Sequence, residues 1–349
     1  MKKVLITGSG GLVGSEACFF FSNKKFKIIG IENNTRKKFF GKAGDISKNY
    51  SALKKNIKNF KNYNVDIRDK DKLEKVFLKE KNKLDLIIHC AAQPSHDYSY
   101  DNPVEDFNVN ANGTLNLLYL VKKYCKNAVF IFMSTNKVYG DRINYLKFKK
   151  KGMRFIPKSN SIKKGVSELM SIDNSMHSVF GASKVAADVL VQEFGKYYGL
   201  KTTVLRGGCL TGYRHAGVSL HGFLSHLVKS CVNNKKYNVI GYSGLQVRDN
   251  LHAYDLAAMF WHIYLKPNSG AVYNVGGGKF SNCSVLEAIK YAELYSKKKM
   301  KLKFIKKPRK GDHKWWITDM TKFKKDYPNW KQQFTSKMII AEMVKKYSK

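Results

Sequence analysis

Three glycines and one acid carry the first chemistry legible in the chain. Gly8, Gly11 and Gly14 stand in Lys3-Val-Leu-Ile-Thr-Gly-Ser-Gly-Gly-Leu-Val-Gly14, directly after the apolar run Val4–Ile6. Glycines so spaced permit a tight turn, close backbone approach to a pyrophosphate, and close helix–strand contact. The stretch from Leu12 to about Phe21 is apolar and of helix length. Its N-terminus, with Leu12 and Val13 leading, presents unpaired N–H groups and a partial positive charge to phosphates. A second strand-like run, Phe26–Ile31, ends in Glu32. Dinucleotide-binding folds place an acid on the ribose hydroxyls at about this distance. A carboxylate there accepts from a 2′-OH and repels a 2′-phosphate, so NAD is expected over NADP. Arg36, close by, works against that preference.

Further candidates fall at strand ends. Asp66-Ile67 read either as an acceptor for the adenine amino group with an apolar cover, or as turn residues. The strand-like run Leu84–Ala91 closes on Ala91-Ala92, small enough for a dinucleotide to approach. Another run, Ala128–Met133, leads to Ser134-Thr135, hydroxyls at the carboxyl end of a central strand, where open α/β sheets place their chemistry. No His, Cys, Asp cluster has metal-ligand spacing, so no metal is expected.

These residues need a particular frame. Strand-like and helix-like runs alternate as far as Lys201–Gly207, with a third short strand and its exit at 64–69, helical periodicity at 73–78 and a helix over 178–198. Asp101-Asn102-Pro103 marks a helix start, with an acid or amide cap and proline in the first turn, and that helix runs to about Tyr124. Residues 33–63 form a long polar connection, and 141–172 a basic, irregular stretch expected to fold over the site. The rhythm specifies an α/β fold, a Rossmann-type doubly wound parallel sheet. It loosens after Gly207, which points to a smaller mixed α/β C-terminal substrate domain. The expected division is 1–206 and 207–349, with segments near 246–276 able to return to the first layer.

Bulk properties narrow the function classes. At 349 residues the chain has room for ample core. No apolar run approaches the ~20 residues needed to cross a bilayer. Met1-Lys2-Lys3 leads straight into the first strand, leaving no room for a signal peptide. The six cysteines are scattered without a Cys-x-x-Cys pair, as expected of buried thiols in a reducing, cytoplasmic location. The formal charge of +38 raises nucleic acid as a partner. Yet the lysines spread along most of the chain with no basic arm and no aromatic-interleaved patch. A solvated Lys-rich surface is the expectation, and its field would draw in an anionic substrate such as a nucleotide diphosphate.

Strand, glycine turn, Glu32, Asp66-Ile67, Ser134-Thr135 and Lys184 together resemble the extended short-chain dehydrogenase/reductase superfamily, the NAD-dependent epimerases and dehydratases of nucleotide sugars. The resemblance runs essentially end to end. Four motifs are most similar to the CDP-paratose (CDP-tyvelose) 2-epimerase family: Ser134-Thr-Asn-Lys-Val-Tyr-Gly-Asp141, Gln246-Val-Arg-Asp-Asn-Leu-His252, Tyr273-Asn-Val-Gly-Gly-Gly278 and Gly311-Asp-His313. The resemblance implies transient oxidation of a sugar hydroxyl and hydride return to the opposite face. It implies NAD as cofactor, a CDP-sugar as favoured substrate and a homodimer. Lys184 would hold the nicotinamide ribose, Thr135 the reacting hydroxyl and Arg248 the diphosphate, with Gln93, His96, Asn136, Lys137 and His221 toward the substrate. Dehydratases of the superfamily carry Asp-Glu after the threonine. Asn136-Lys137 cannot supply two carboxyl groups, which argues against dehydration.

The pattern breaks at one position. The superfamily's base is the tyrosine of Tyr-x-x-x-Lys, and this chain has Phe180 one helical turn before Lys184. A positioned general acid–base is worth roughly 10²–10⁴-fold in rate. Lys184 itself, His177, Tyr139, Tyr98 or His96 could take the task. Otherwise the chain is a nucleotide-sugar oxidoreductase of different regiochemistry, or a catalytically silent NAD/nucleotide-sugar binder.

Overall fold

The computed structural model describes residues 1–80, 84–218, 222–309 and 311–348. The chain begins with β1 (Lys3–Thr7), α1 (Leu12–Asn23) and β2 (Lys27–Ile31), and both strands are buried on both faces beyond their first residue. The polar connection that follows folds into two short helices, α2 (Thr35–Phe40) and α3 (Ser47–Asn56). Next come β3 (Lys61–Tyr63), α4 (Lys70–Glu80), β4 (Leu86–His89), α5 (His96–Asp101), α6 (Pro103–Phe107), α7 (Gly113–Tyr124) and β5 (Val129–Thr135). A hairpin of β6 (Phe148–Lys151) and β7 (Arg154–Pro157) precedes α8 (Ser178–Lys196) and β8 (Lys201–Gly207). The remainder comprises β9 (Cys209–Thr211), α9 (Phe223–Val232), β10 (Tyr237–Ile240), β11 (Val247–His252), α10 (Ala253–Leu265), β12 (Ala271–Val275), β13 (Asn282–Ser284), α11 (Val285–Ser296), β14 (Leu302–Ile305), β15 (Trp315–Trp316), α12 (Thr321–Asp326) and α13 (Ser336–Tyr347).

Two compact units emerge. The first takes residues 1–138, 178–206 and 256–273. Its sheet has the order β12-β8-β5-β4-β1-β2-β3, parallel from β3 through β5. The order reverses between β1 and β4, and both strands end beside the glycine turn, the crevice where such sheets take ligands. Apolar residues of β1, β4, β5, α4, α7 and α8, among them Leu5, Ile87, Phe130, Phe77, Leu117 and Val191, form its core. The second unit takes 139–177, 207–255 and 274–349. There β11 lies between β13 and β15, and α9, α11 and α13 share a separate core around Leu227, Ile289 and Ile340. The stretch 139–177, inside the span expected for the first domain, clusters with this second unit, whereas most of α10 returns to the first.

Two elements depart from their expected form. The third strand lies at Lys61–Tyr63, and 64–69 is its exit alone. Asp66 accepts from the Arg68 backbone N–H (2.9 Å), closing a turn that ends the strand. The long helix expected from Pro103 to Tyr124 is interrupted by one π-helical turn, Asn108–Asn112. At its start, the Asn102 side chain donates back to the Tyr98 carbonyl (3.2 Å) and makes no cap bond to α6.

Candidate active site

Sterics alone fix the turn after β1. Gly8 has φ 66°, and a Cβ there would stand 2.9 Å from the Ala91 nitrogen. At Gly14 a Cβ would fall 2.1 Å from the Gly8 carbonyl oxygen. Gly11, at the N-cap of α1, places no side chain over the helix end. The half-buried Leu12 and Val13 lead the first turn. The chain thus offers a bare helix N-terminus with room for an anion against the backbone.

Glu32 faces this turn from the end of β2. One carboxylate oxygen accepts from the Gly10 N–H (3.0 Å), the other from the Asn34 N–H (2.8 Å). Burial pushes its pKa up, and these amide bonds oppose the shift. A cavity of about 240 Å³ opens beside it, lined among others by Asn34, Ser47, Tyr50 and Asn62. Asp66 binds the Arg68 guanidinium through both oxygens (2.9 and 2.8 Å) and also accepts from the Asn33 amide. Burial alone would raise its pKa; the bonds from Arg68 reverse that and hold it below the usual carboxylate value. Ile67 is buried, against Gly113. The Arg36 guanidinium lies over the Phe40 ring, and burial pulls its pKa down to about 10.

A buried hydrogen-bond chain ties β1 to β4 and α7. The Thr7 hydroxyl accepts from the Cys90 and Ala91 amides (both 3.2 Å), so its proton is directed to His89 Nδ1 (2.7 Å). The other ring nitrogen then donates to the Thr114 hydroxyl (3.0 Å), which donates to the Asn110 carbonyl (2.6 Å). Only a neutral imidazole satisfies this order, and burial indeed pushes the His89 pKa well down. Ala91 is held against the glycine turn by this chain, with Ala92 next to it, both half-buried. Gln93 is fully buried. Its amide donates to Ser95 O and Asp106, and its carbonyl accepts from the Ser95 N–H. Asp106 also accepts from Ser183 and Asn110. Asn110 sits within the π-helical turn, which aims its amide at Ser183 (3.0 Å) and the Gln93 carbonyl (3.1 Å).

The first turns of α8 hold the groups nearest to proton chemistry. Lys184 is buried; its Nζ donates to the Met133 carbonyl (2.8 Å) and lies 4.1 Å from the Phe132 ring centre. Burial lowers its pKa to about 8. Phe180 is buried, and its ring meets His96 edge to face, centroids 5.0 Å apart. His96 Nδ1 lies 2.8 Å from the Ser178 hydroxyl. At the end of β5, the half-buried Thr135 hydroxyl accepts from the Lys137 N–H (3.2 Å), and the Asn136 side chain is close to it. Beneath them Ser134 donates to Asp188 (2.6 Å), which pairs with Arg206 (3.0 and 2.9 Å).

The structure therefore gathers the glycines, Glu32, Ala91, Thr135, Lys184 and His96 along the carboxyl ends of one sheet. Asp66, Ile67, Gln93, Asn136 and Lys137 also lie in the first unit, whereas Tyr139, His177 and Arg248 belong to the second. There Tyr139 is fully buried, stacked on Trp316, with its hydroxyl donating to Asn274 (2.7 Å). His177 is half-buried and immediately precedes α8. Arg248 donates to the Asp312 carboxylate and to the Val247 carbonyl (2.8 Å). His221 lies outside the described residues. Sequence reasoning missed His89, Asp106, Asn110 and Asp188. The one signal available was the presence of polar residues inside otherwise apolar strand and helix faces. Among the described residues no group of three His, Cys, Asp or Glu could hold a metal ion, and no helix is long and apolar enough to cross a membrane.

Residues 4–276 match the profile described as the NAD dependent epimerase/dehydratase family. The chain is 30% identical to CDP-paratose 2-epimerase of Salmonella typhi over 351 residues, covering 98% of each. It is 27% identical to UDP-glucuronate 4-epimerase of Thermodesulfobacterium geofontis, covering 96% of this chain and 93% of that one. In fold it is similar to Thermus thermophilus UDP-glucose 4-epimerase solved with NAD, at TM-score 0.79 and 22% identity, covering 99% of this chain and 98% of that one.

Proposed function

As the chain belongs to the NAD-dependent epimerase/dehydratase family, we propose that it is an NAD-dependent nucleotide-sugar epimerase acting at C2 of a CDP-linked hexose or deoxyhexose. The observation that carries epimerisation is the end of β5. An amide and an ammonium, Asn136 and Lys137, follow Thr135 there, where elimination of water would need two carboxyl groups. The nucleotide and the carbon rest on the end-to-end likeness to CDP-paratose 2-epimerase.

The residues present fit a dinucleotide. Gly8 and Gly14 allow a turn so tight that a Cβ would meet its own backbone, α1 presents its free amides at that turn, and Glu32 stands ready for ribose hydroxyls. Bound NAD supplies a reversible hydride acceptor. Leu12, Val13, Gly11, Ala91 and Ala92 shape its bed, and Asp66 and Ile67 border the adenine. Lys184 binds the nicotinamide ribose, its ammonium already aimed by the Met133 carbonyl. Thr135 orients the reacting hydroxyl, and Asn136 and Lys137 border the sugar. Gln93 holds the loop that carries His96, Arg248 receives the nucleotide diphosphate, for which a bidentate guanidinium is suited, and His221 faces the nucleotide. The working form is a cytoplasmic homodimer.

Incubation of the purified protein with CDP-, UDP-, GDP- and dTDP-hexoses, followed by NMR of the anomeric and H2 signals, tests this reading. A new C2 epimer from a CDP-sugar supports it; a product changed only at C4 moves the reacting carbon. Phe180 favours a second reading, a binder of NAD and nucleotide sugar without turnover. Retained cofactor with every sugar unchanged would establish that alternative.

A further inference from the structure

Without a phenol at position 180, the proton of the reacting hydroxyl needs another carrier. The geometry points to His96 as the general acid–base of the reaction, with Ser178 as its positioning residue. This rests on the epimerase reading above.

Four other groups near the sheet ends are poorly suited to carry it. Lys184 directs its ammonium into the Met133 carbonyl and is buried. The Tyr98 hydroxyl donates to Glu105, and its pKa is pushed up to about 12, burial first among the causes. Burial likewise pushes the Cys90 thiol up to about 12. Thr135 has a neutral hydroxyl, a poor base. His96 is only half-buried, on the first turn of α5, and an imidazole can both accept and return a proton.

His96 is also held as a shuttle should be. Ser178 has φ 63°, a left-handed conformation unfavourable for a residue with a Cβ. That conformation brings its hydroxyl to His96 Nδ1 at 2.8 Å. The Gly181 N–H donates to the same oxygen (3.3 Å), leaving a second lone pair for a proton on Nδ1. In that tautomer Nε2 is the basic nitrogen. A second tie fixes the backbone: the Phe180 N–H donates to the Ser99 hydroxyl (3.2 Å), which donates to the His96 carbonyl (2.8 Å). The Phe180 ring packs the imidazole edge to face without offering a competing polar atom.

The step balances. The sugar O–H bond breaks and its proton passes to Nε2, while the carbon loses its hydrogen and two electrons as hydride to oxidised NAD, leaving a ketone. The return step delivers hydride to the opposite face and the same proton to the alkoxide oxygen. No other oxidant is consumed.

The test uses the full-length NAD-loaded protein and the CDP-hexose turned over in the panel above. His96→Gln keeps a hydrogen-bonding side chain toward Ser178 and removes the proton carrier. Expected is a fall in kcat of about 10²–10⁴-fold with KM little changed, loss of the acidic limb of the pH profile, and unchanged NAD content and melting temperature. Ser178→Ala should lower kcat by about tenfold and displace that limb, because the ring loses its tautomer control. Phe180→Tyr in the His96→Gln background should restore part of the rate with a different pH profile. A readout independent of turnover comes from histidine-labelled protein: the imidazole signal missing in His96→Gln should shift when the CDP-hexose is added. Retention of wild-type kcat by His96→Gln, or an unmoved imidazole signal, overturns the assignment alone. A wild-type protein that holds NAD but converts no sugar overturns the function, and the assignment with it.

Discussion

The dinucleotide cradle and the corner where α5 meets α8 are built on opposite principles. In the cradle, backbone does the work. Gly8, Gly11 and Gly14 matter for the side chains they lack, and a misplaced Cβ at Gly14 would sit 2.1 Å from a carbonyl oxygen. In the corner, side chains do the work. Asp106, Asn110, Gln93, Ser183, Ser178 and His96 form a buried or half-buried polar web, with Ser134, Asp188 and Arg206 under the neighbouring strand end. The cradle tolerates no added atoms. The corner tolerates no lost partners, because each buried polar group left unpaired costs its full desolvation.

The largest expected effect tests the corner. Asp188→Ala removes the carboxylate that pairs with the buried Arg206 guanidinium and accepts from Ser134, and should cost about 3–5 kcal/mol in a urea unfolding experiment. A loss under about 1 kcal/mol would show that water enters and that the web is not built on completeness. Next comes the cradle itself. Gly14→Ala should cost about 1–3 kcal/mol from overpacking and strip NAD from the purified protein. Normal cofactor content in that variant would mean the turn relaxes freely and the contrast with the corner is false.

A third, smaller effect concerns Lys184, one turn along α8 from Phe180. Its folded pKa of about 8 lies below the ordinary lysine value of 10.5. Between those values the unfolded chain binds more protons than the folded one, so this group makes stability rise with pH from about 8 to about 10.5. Lys184→Met should flatten that rise, measured as the difference in urea midpoint between pH 8 and pH 10. An unchanged slope would place the ammonium in contact with solvent. The smallest effect is Phe180→Tyr alone, whose kcat should stay within about tenfold of wild type, with an altered pH profile. A gain of about a thousandfold would instead mark the natural chain as an enzyme lacking its base.

The same contrast explains what could be read in advance. The turn, β1, β2, the acid at 32 and the strand end at 134–135 announce themselves because apolar periodicity and glycine spacing are local properties. Short-range chemistry also accounts for the one shifted strand, where Asp66 closes a turn on Arg68. The π-helical turn at 108–112 leaves no local trace: Asn110 turns inward only because Gln93, Asp106 and Ser183 await it from other elements. His89 likewise looks like an interruption of an apolar strand until Thr7 and Thr114 are placed on either side of it. The bond between His96 and Ser178 spans 82 positions, and no periodicity connects them.

Glu32 has a consequence for redesign of the cofactor preference. Its two oxygens already bind the amides of Gly10 and Asn34 before any ribose arrives. Replacing the acid to admit a phosphorylated ribose would therefore also cut the strap between the glycine loop and the residues after β2. Selectivity and loop integrity are inherited together here. A successful switch would need a compensating acceptor for those two N–H groups, supplied elsewhere in the 33–50 segment.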